Sequence, residues 1–474
     1  MRAKPTTEQV VLDAIKSGKD NTPNPPIKLL DNIPEVQEEI TPPQIQQTPE
    51  EKRRALIQSD IAAQKKAEIP VPKEPGPQKA TILEGKKMDT TPTEKDVKRT
   101  LDIGIVGVGG GGCKLADAFA SVGYDVAVVN LTDRDYAHLT HIPKDDNSRL
   151  ELVMTAGGAG KNPDVGVRAI DEFTNFLTKK FQRKFNNKEF VFVCAGLGGG
   201  TGTLGGVKVA RIIASLGIPT GMIVTLPRNN EGTDEKANCL RGLKEIANDR
   251  AIKSIVVIDN QRVAERLKNT PDTAFWTAAN MEIVRLFDSF NTYSSQTSDT
   301  AFDAEDYRKM LSTNGFINIG ETTVPGVTVN ADGSVAYGES LDKIIAAVTN
   351  GFLATGFDLS SAVRAAGLII KPDGEYSHAF EEALFNHLKT VIGAGGLNRG
   401  IYQGTGKALV VKTMLAGLRI PQSRVDELVN ITLQESNAMK QKVQQRATEV
   451  IDIGIPADIG QISGIDVEEQ GRKR

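Results

Sequence analysis

The chain has 474 residues, enough for two or three domains, with 39% hydrophobic residues and a net charge of -3. This balance gives no overall field that favours nucleic acid, and there is no dense basic stripe, so direct nucleic-acid binding is not expected. With no apolar run of about 18 residues and no charged-then-apolar start, neither a membrane span nor a signal peptide is expected. Cys113, Cys194 and Cys239 are odd in number and read as reduced cytoplasmic thiols.

Met1 to Thr100 contains no Phe, Tyr or Trp, yet holds 13 of the 22 prolines and three of the 45 glycines. Without aromatics such a segment buries too little surface to offset its ordering entropy, so residues 1–99 are predicted to be a disordered, Pro-rich extension. It serves either as a spacer or as a partner-docking arm. From Asp102 the texture changes. "DIGIVGVGG" reads as a strand ending in glycine, "CKLADAFASVG" as a helix and "YDVAVVN" as a second strand. "EFVFVCAG", "GIPTGMIVTL" and "IKSIVVIDN" are further short apolar strands, with helices at Leu204–Leu216 and Asp234–Asp249 between them. Strands buried on both faces and alternating with helices predict an α/β domain over 100–272, a Rossmann-like parallel sheet covered by helices.

A long central helix is expected from Thr273 towards Asn291, within 273–297. "INIGETTV", "AAGLIIKP" and "KALVVKTML" are strand-like, with helices at Ser340–Ala354 and Tyr376–Ile392, and predict a smaller α+β domain over 298–420. A C-terminal helix is expected from Ser423, where Asp426 gives a capping-box-like start, and residues 421–474 end in a loose tail.

Three glycine-rich segments interrupt these elements. "GVGGGG", Gly107 to Gly112, satisfies G-x-G-x-x-G between a strand and a helix, with Asp133 about where a dinucleotide fold keeps its ribose acid. "GLGGGTGT", Gly196 to Thr203, also joins a strand to a helix, and "TAGGAGKNPDVG" supplies more bare backbone. A single such loop suits NAD. Two facing the same sheet edge suggest one polyphosphate held from both sides by main-chain N–H groups and helix dipoles. Tight turns alone would also use glycine.

"GVGGGG", "VNLTD", "GAGKNPDVG", "GLGGGTGT", "LPRNNEG" and "VIDN" occur in the order and spacing of the tubulin/FtsZ superfamily, which the chain resembles from about Leu101 to Ile420. The resemblance implies GTP or GDP as ligand, with Mg2+. Gly109, Gly110, Gly111, Gly112 and Cys113 would hold the α/β-phosphates, with Asn130 nearby. Gly198, Gly199, Gly200, Thr201, Gly202 and Thr203 would hold the phosphate tail. Gly157, Gly158, Ala159, Gly160 and Lys161 would lie beside the γ-phosphate. Glu231 matches a ribose-contacting acid, and Asn260 and Asn280 match guanine-side asparagines. Outside the resemblance, Glu231 reads as a turn acid and the two asparagines as caps or satisfied helix polars.

The resemblance also implies that hydrolysis is completed by acids of an adjacent subunit, here Asp303 and Asp306, whose i, i+3 spacing puts both on one face of a helix start. Acids there also stabilise a helix without catalysing anything. Met281, Leu204 and Ala301 depart from the family pattern. The long front arm and final helix look like the divergent plasmid and bacteriophage tubulins (the TubZ and PhuZ types). That implies a longitudinal homopolymer in a bacterial or phage-infected cytoplasm, positioning DNA or phage particles. An adaptor would dock on the N-terminal extension or C-terminal tail. The alternatives are a tubulin-fold structural protein with weak or no GTPase activity, and an NAD enzyme built on "GVGGGG". For the latter, His138, His141, His378 and His387 offer no base-like setting.

Overall fold

The computed structural model describes residues 98–448, except 153–157, 325–326, 333, 352, 372–375, 394 and 405–407. Residues 1–97 of the predicted N-terminal extension, the tail beyond the last helix and Gly157 therefore lie outside the described residues. In chain order the first half comprises β1 Ile103–Val108, α1 Gly109–Ser121, β2 Asp125–Asn130, a 3-10 turn Asp133–His138 and β3 Arg149–Glu151. Then come α2 Pro163–Glu172, α3 Thr174–Phe185, β4 Phe190–Gly196, α4 Gly200–Ser215, β5 Thr220–Leu226, α5 Thr233–Ala247 and β6 Ile252–Asp259. After α6 Asn260–Arg266 the long helix α7 Asp272–Tyr293 leads to α8 Ala304–Ser312, β7 Gly315–Val324 and a small β8–β9 hairpin (Thr328–Val329, Val335–Ala336). The remainder is α9 Leu341–Thr349, β10 Arg364–Lys371, α10 His378–Ile392, β11 Gly396–Gln403, β12 Leu409–Leu418 and α11 Gln422–Thr448.

Ten strands form one sheet in the order β11-β10-β12-β7-β6-β5-β4-β1-β2-β3. β3 through β7 pair in parallel, whereas β12 runs antiparallel to both β7 and β10. The second half is thus built onto the edge of the first: β7 joins β6 at Ser254–Val256 against Gly315–Ile317. In the first half the order 3-2-1-4-5-6 reverses direction between β1 and β4. At that point the loops leaving the two strands diverge and leave a crevice at their carboxyl ends.

Both faces of the sheet are covered, as continuous apolar strands require. On β1, Val106 and Val108 join one core with Phe181 and Phe185 of α3, and Ile103 and Ile105 join the other with Phe119 of α1 and Phe287 of α7. Phe287 stands edge-on to Phe119 and Phe192, at 5.5 and 5.0 Å between ring centroids, and so fixes α7 against α1 and β4. All three cysteines are free and buried, and burial pushes each thiol up, away from reactive thiolate. Among the described residues no helix is long and apolar enough to cross a membrane.

Two helix starts and one helix end differ from the sequence expectation as follows. α4 begins at Gly200, not Leu204, so most of the glycine-threonine segment is the first helical turn and not a loop. α9 stops at Thr349, because Asn350 and then Gly351, at φ 84°, turn the chain away before Ala354. α11 begins at Gln422, one residue ahead of the expected cap Ser423. Asp426 is instead engaged by Gln422 Nε2 at 2.8 Å, and the amides of Arg424 and Val425 bond the Pro421 carbonyl.

The glycines at the strand-helix junctions do two different jobs. A Cβ on Gly112 would lie 2.2 Å from the Cys194 carbonyl oxygen, one on Gly202 2.7 Å from that of Gly196, and one on Gly109 2.8 Å from the Gly202 nitrogen. These let α1, α4 and β4 touch backbone to backbone. A Cβ on Gly111, Gly199 or Gly160 would meet nothing within 4 Å. Gly112→Ala should therefore lower unfolding stability by about 2–3 kcal/mol, because the obstructing atom is main chain and cannot swing away. Gly111→Ala should leave stability unchanged or raise it by about 0.5–1 kcal/mol through helix propensity. Denaturant melts of the two variants distinguish these outcomes.

Candidate functional site

The crevice at the β1/β4 reversal opens into a cavity of about 430 Å³. Val108, Gly196, Thr225 and Asn260 mark the carboxyl ends of β1, β4, β5 and β6 around it, and the first turns of α1 and α4 form its floor. Both helices start without a side-chain cap. Val108 and Gly199 occupy the N-cap positions, where neither side chain can accept from the first N–H groups. A helix exposes about four unsatisfied amides at its start, along with the positive end of its dipole. Here two such ends converge: Gly109, with φ 71°, sits against Gly202. The arrangement suits an anion with several oxygens.

The third glycine segment forms one wall through Gly158, Ala159, Gly160 and Lys161. Lys161 carries a left-handed φ of 61°, uncommon for a non-glycine residue. Its ammonium hydrogen-bonds Glu235, which also lines the cavity, and that contact holds both groups ionised: Lys161 is shifted up and Glu235 down. α5 fastens this wall at two further points. Asn238 Nδ2 donates to the carbonyls of Lys161 and Gly198, at 2.8 and 3.2 Å, and Arg241 makes a paired contact with Asp164.

Many residues predicted for the site face the cavity: Gly109, Gly110, Gly111, Asn130, Gly158, Ala159, Gly160, Lys161, Gly198 to Gly202, Glu231 and Asn260. Asn130 is buried and donates to Asp135 at 2.6 Å. Glu231 accepts from the Arg228 amide at 2.8 Å, so it is a turn acid as well as a wall residue. Gly112, Cys113 and Thr203 do not line the cavity. The Cys113 thiol points at the Gly107 and Val129 carbonyls, and the Thr203 hydroxyl at those of Leu197 and Gly199. Leu204 is buried in α4 and does not obstruct the cavity.

Two further placements differ from the sequence reading. Asp133 is exposed and off the cavity; Asp135, further along the 3-10 turn, lines it instead. Asn280 lines a second cavity, of about 470 Å³, with Lys114, Asp117, His141, Trp276 and Met281. The second cavity follows the same face of α1 one turn beyond Gly111. In it Asp117 is partly shielded, yet the amides of Thr140, His141 and Ile142 outweigh that burial and hold its carboxyl below the usual range. Sequence reasoning missed Thr132, Asp135, Thr225, Pro227 and Glu235 as wall residues. The one available signal was Glu235, an acid four residues after the "PRNNEG" glutamate.

Asp303 and Asp306 lie elsewhere. Asp303 caps α8, its carboxylate accepting from the Asp306 amide at 2.9 Å. Asp306 is held above the ordinary aspartate range, first by burial and then by the Asp303 charge. Arg308 of the same helix pairs at 2.6 Å with Glu189, the residue just before β4. The acids therefore sit at the amino ends of the parallel strands, and the cavity sits at their carboxyl ends. Across the seven residues of β4 that separation is about 20 Å, at roughly 3.3 Å per residue.

With this geometry in view, comparison with known proteins is consistent along the chain. Residues 102–268 match the GTPase domain of the Tubulin/FtsZ family, and residues 300–422 match the C-terminal domain of the tubulin-like protein TubZ. The chain is 25% identical over 265 residues to the tubulin-like protein TubZ of Bacillus cereus, covering 52% of this chain and 61% of the relative. It is 30% identical over 224 residues to the cell division protein FtsZ of Helicobacter pylori, covering 46% and 57%. The alignments thus span about three-fifths of these relatives' lengths. In fold, it is similar to TubZ of Bacillus thuringiensis serovar israelensis in a GTPγS-form protofilament, with TM-score 0.65, 21% identity, and 74% and 96% of the two chains covered. It is also similar to CetZ2 of Haloferax volcanii, with TM-score 0.59, 20% identity, and 71% and 100% covered. The chain belongs to the tubulin/FtsZ superfamily, with a TubZ-type C-terminal domain after its GTPase-type domain.

Proposed function

We propose that this chain binds GTP in the first cavity, polymerises head to tail, and hydrolyses the nucleotide with Asp303 and Asp306 of the next copy. One observation carries this reading: a cavity floored by two uncapped helix N-termini and a pair of carboxylates lie at opposite ends of one sheet. Within one molecule they cannot meet. Stacking a second copy in the same orientation brings the acids of one over the cavity of the other, and repetition of that contact gives a filament. In keeping with this, a relative, TubZ-Bt, is known as a two-stranded filament.

In this reading the amides of Gly109–Gly111 and Gly200–Gly202 hold the phosphates, Glu231 faces the ribose and Asn260 faces the base. A purine extending along α1 past Lys114 would come within reach of Asn280. Among the described residues the wall carries Asp135, Glu231 and Glu235 against the single cation Lys161, so a triphosphate meets net negative charge. These carboxylates suit a hard cation such as Mg2+, which when bound would neutralise phosphate charge. Among the described residues no cluster of three or more ligands exists, so such an ion would lean on phosphate oxygens more than on protein. Asp303 and Asp306 accept hydrogen bonds from the attacking water, and one of them takes its proton as the water oxygen bonds the γ-phosphorus and the bond to the departing GDP oxygen breaks. The TubZ-type C-terminal half favours a role in positioning DNA or phage particles, with an adaptor on the N-terminal extension or C-terminal tail.

Sedimentation with GTP, GDP and a slowly hydrolysed analogue tests the reading. An Asp303→Ala, Asp306→Ala variant should still pellet with GTP but release phosphate at least about a hundredfold more slowly. A variant that stays soluble and releases phosphate normally would contradict it. Gly111→Ala, Gly199→Ala adds two methyl groups to the cavity wall, and should weaken GTP binding at least about tenfold without lowering the melting temperature. pH gives a further check. The Asp306 carboxyl is raised, so its ionised form is lost as pH falls through a value above the ordinary aspartate range, and turnover should fall with it. Removing the neighbouring charge with Asp303→Asn should move that acid limb of the residual rate to lower pH, as read in a pH-rate profile.

A further inference from the structure

The C-terminal helix α11 reaches back to the cavity through two buried cations. Lys236, in the first turn of α5, is fully buried. Its ammonium donates to the carbonyls of Asn229 (3.0 Å) and Glu231, and pairs with Glu435 of α11 at 3.1 Å. Arg424, at the start of α11, is also buried. Its guanidinium donates to the Pro227 carbonyl at 3.1 Å and to Asn229 Oδ1 at 2.6 Å, and lies 2.9 Å from the Asp259 carboxylate. Two further bonds follow the same seam: Asn229 Nδ2 to Glu427 at 2.7 Å, and Thr233 Oγ1 to Glu435 at 2.9 Å.

Every one of these contacts lands on the turn from Pro227 to Lys236, or on Asp259. Pro227 and Glu231 line the first cavity, and Asp259 immediately precedes Asn260, which also lines it. The turn is held by main-chain carbonyls bonded to buried cations. A buried ammonium must keep its counter-charge and its acceptors, so Lys236 fixes the position of the Glu231 backbone only while Glu435 is present. An apolar seam would tolerate sliding; this one specifies a single register between α11 and the turn.

We propose that Lys236 is a positioning residue of the nucleotide site, and that docking of α11 through Glu435 and Arg424 is energetically coupled to nucleotide affinity. This rests on the reading that the first cavity holds a guanine nucleotide. Coupling is reciprocal: nucleotide tightens α11 onto α5, and whatever draws α11 away from α5 weakens nucleotide binding.

The test uses the full-length chain and a fluorescent GDP analogue, at protein concentrations too low for assembly. Glu435→Gln keeps the size and a hydrogen bond but removes the counter-charge of Lys236. It should raise the Kd about tenfold, within the usual range of coupling, and raise KM for GTP while leaving kcat at saturating GTP within about twofold. Glu427→Gln, on the same seam and half-exposed, should weaken binding in the same direction by a smaller factor. In the wild type, GDP should slow amide hydrogen exchange across Arg424–Glu435; in Glu435→Gln it should not. An unchanged Kd in both variants, with α11 exchange indifferent to GDP while the wild type still binds the analogue, would overturn the coupling and leave the nucleotide reading standing. Failure of the wild type to bind the analogue at all would sink both.

Discussion

Two helix N-termini meeting backbone to backbone are the constraint on which the rest of this structure depends. α1 and α4 approach so closely at Gly109 and Gly202 that no side chain fits between them. Close approach on one side frees the other, because the uncapped amides of both first turns then face a common cavity. Each exposed amide forgoes an intrahelical partner, which is tolerable where water or an anion supplies the acceptor. Were the helices capped by serine or aspartate, that acceptor would come from the protein and the cavity would lose its chemistry.

The parallel sheet then imposes direction. All strands from β3 to β7 point the same way, so helix starts gather at their carboxyl ends and helix α8, with its acids, is fixed at the opposite end by Arg308 and Glu189. A molecule polarised in this manner carries its cavity and its paired acids at opposite ends of one sheet. Its second half is no separate body beside the first. β7 continues the sheet, and α11 returns to grip the turn that carries Glu231. The chain's far end therefore bears on the cavity built by its beginning.

How much of this was legible in the sequence varies from residue to residue. The parallel α/β core was readable, because the unbroken apolar runs at Ile103–Val108 and Phe190–Gly196 need helices on both faces. The glycine segments announced bare backbone at strand-helix junctions. Sequence could not divide them into Gly112 and Gly202, which press on carbonyl oxygens, and Gly111 and Gly199, which face open space; that division is a matter of tertiary distance. Nor could spacing tell Asp133 from Asp135, since a 3-10 turn decides which of the two faces inward. Asn260 and Asn280 read alike along the chain, yet they line different cavities, because Asn260 follows the carboxyl end of β6 whereas Asn280 lies on α7, which packs against α1. Glu235 went unremarked because an acid in the first turn of a helix is commonplace; its pairing with Lys161 arises only when α5 meets the third glycine segment.

The central claim is that the cavity of one molecule is completed by the acids of another, and mixing two crippled variants tests it most directly. The cavity variant Gly111→Ala, Gly199→Ala supplies intact acids, and the acid variant Asp303→Ala, Asp306→Ala supplies an intact cavity. At GTP concentrations well below the Kd of the cavity variant, each alone should release little phosphate, and the mixture should recover a substantial share of wild-type release as the two co-sediment. If they co-sediment with GTP and release stays at the sum of the separate rates, cavity and acids do not work across the contact between subunits.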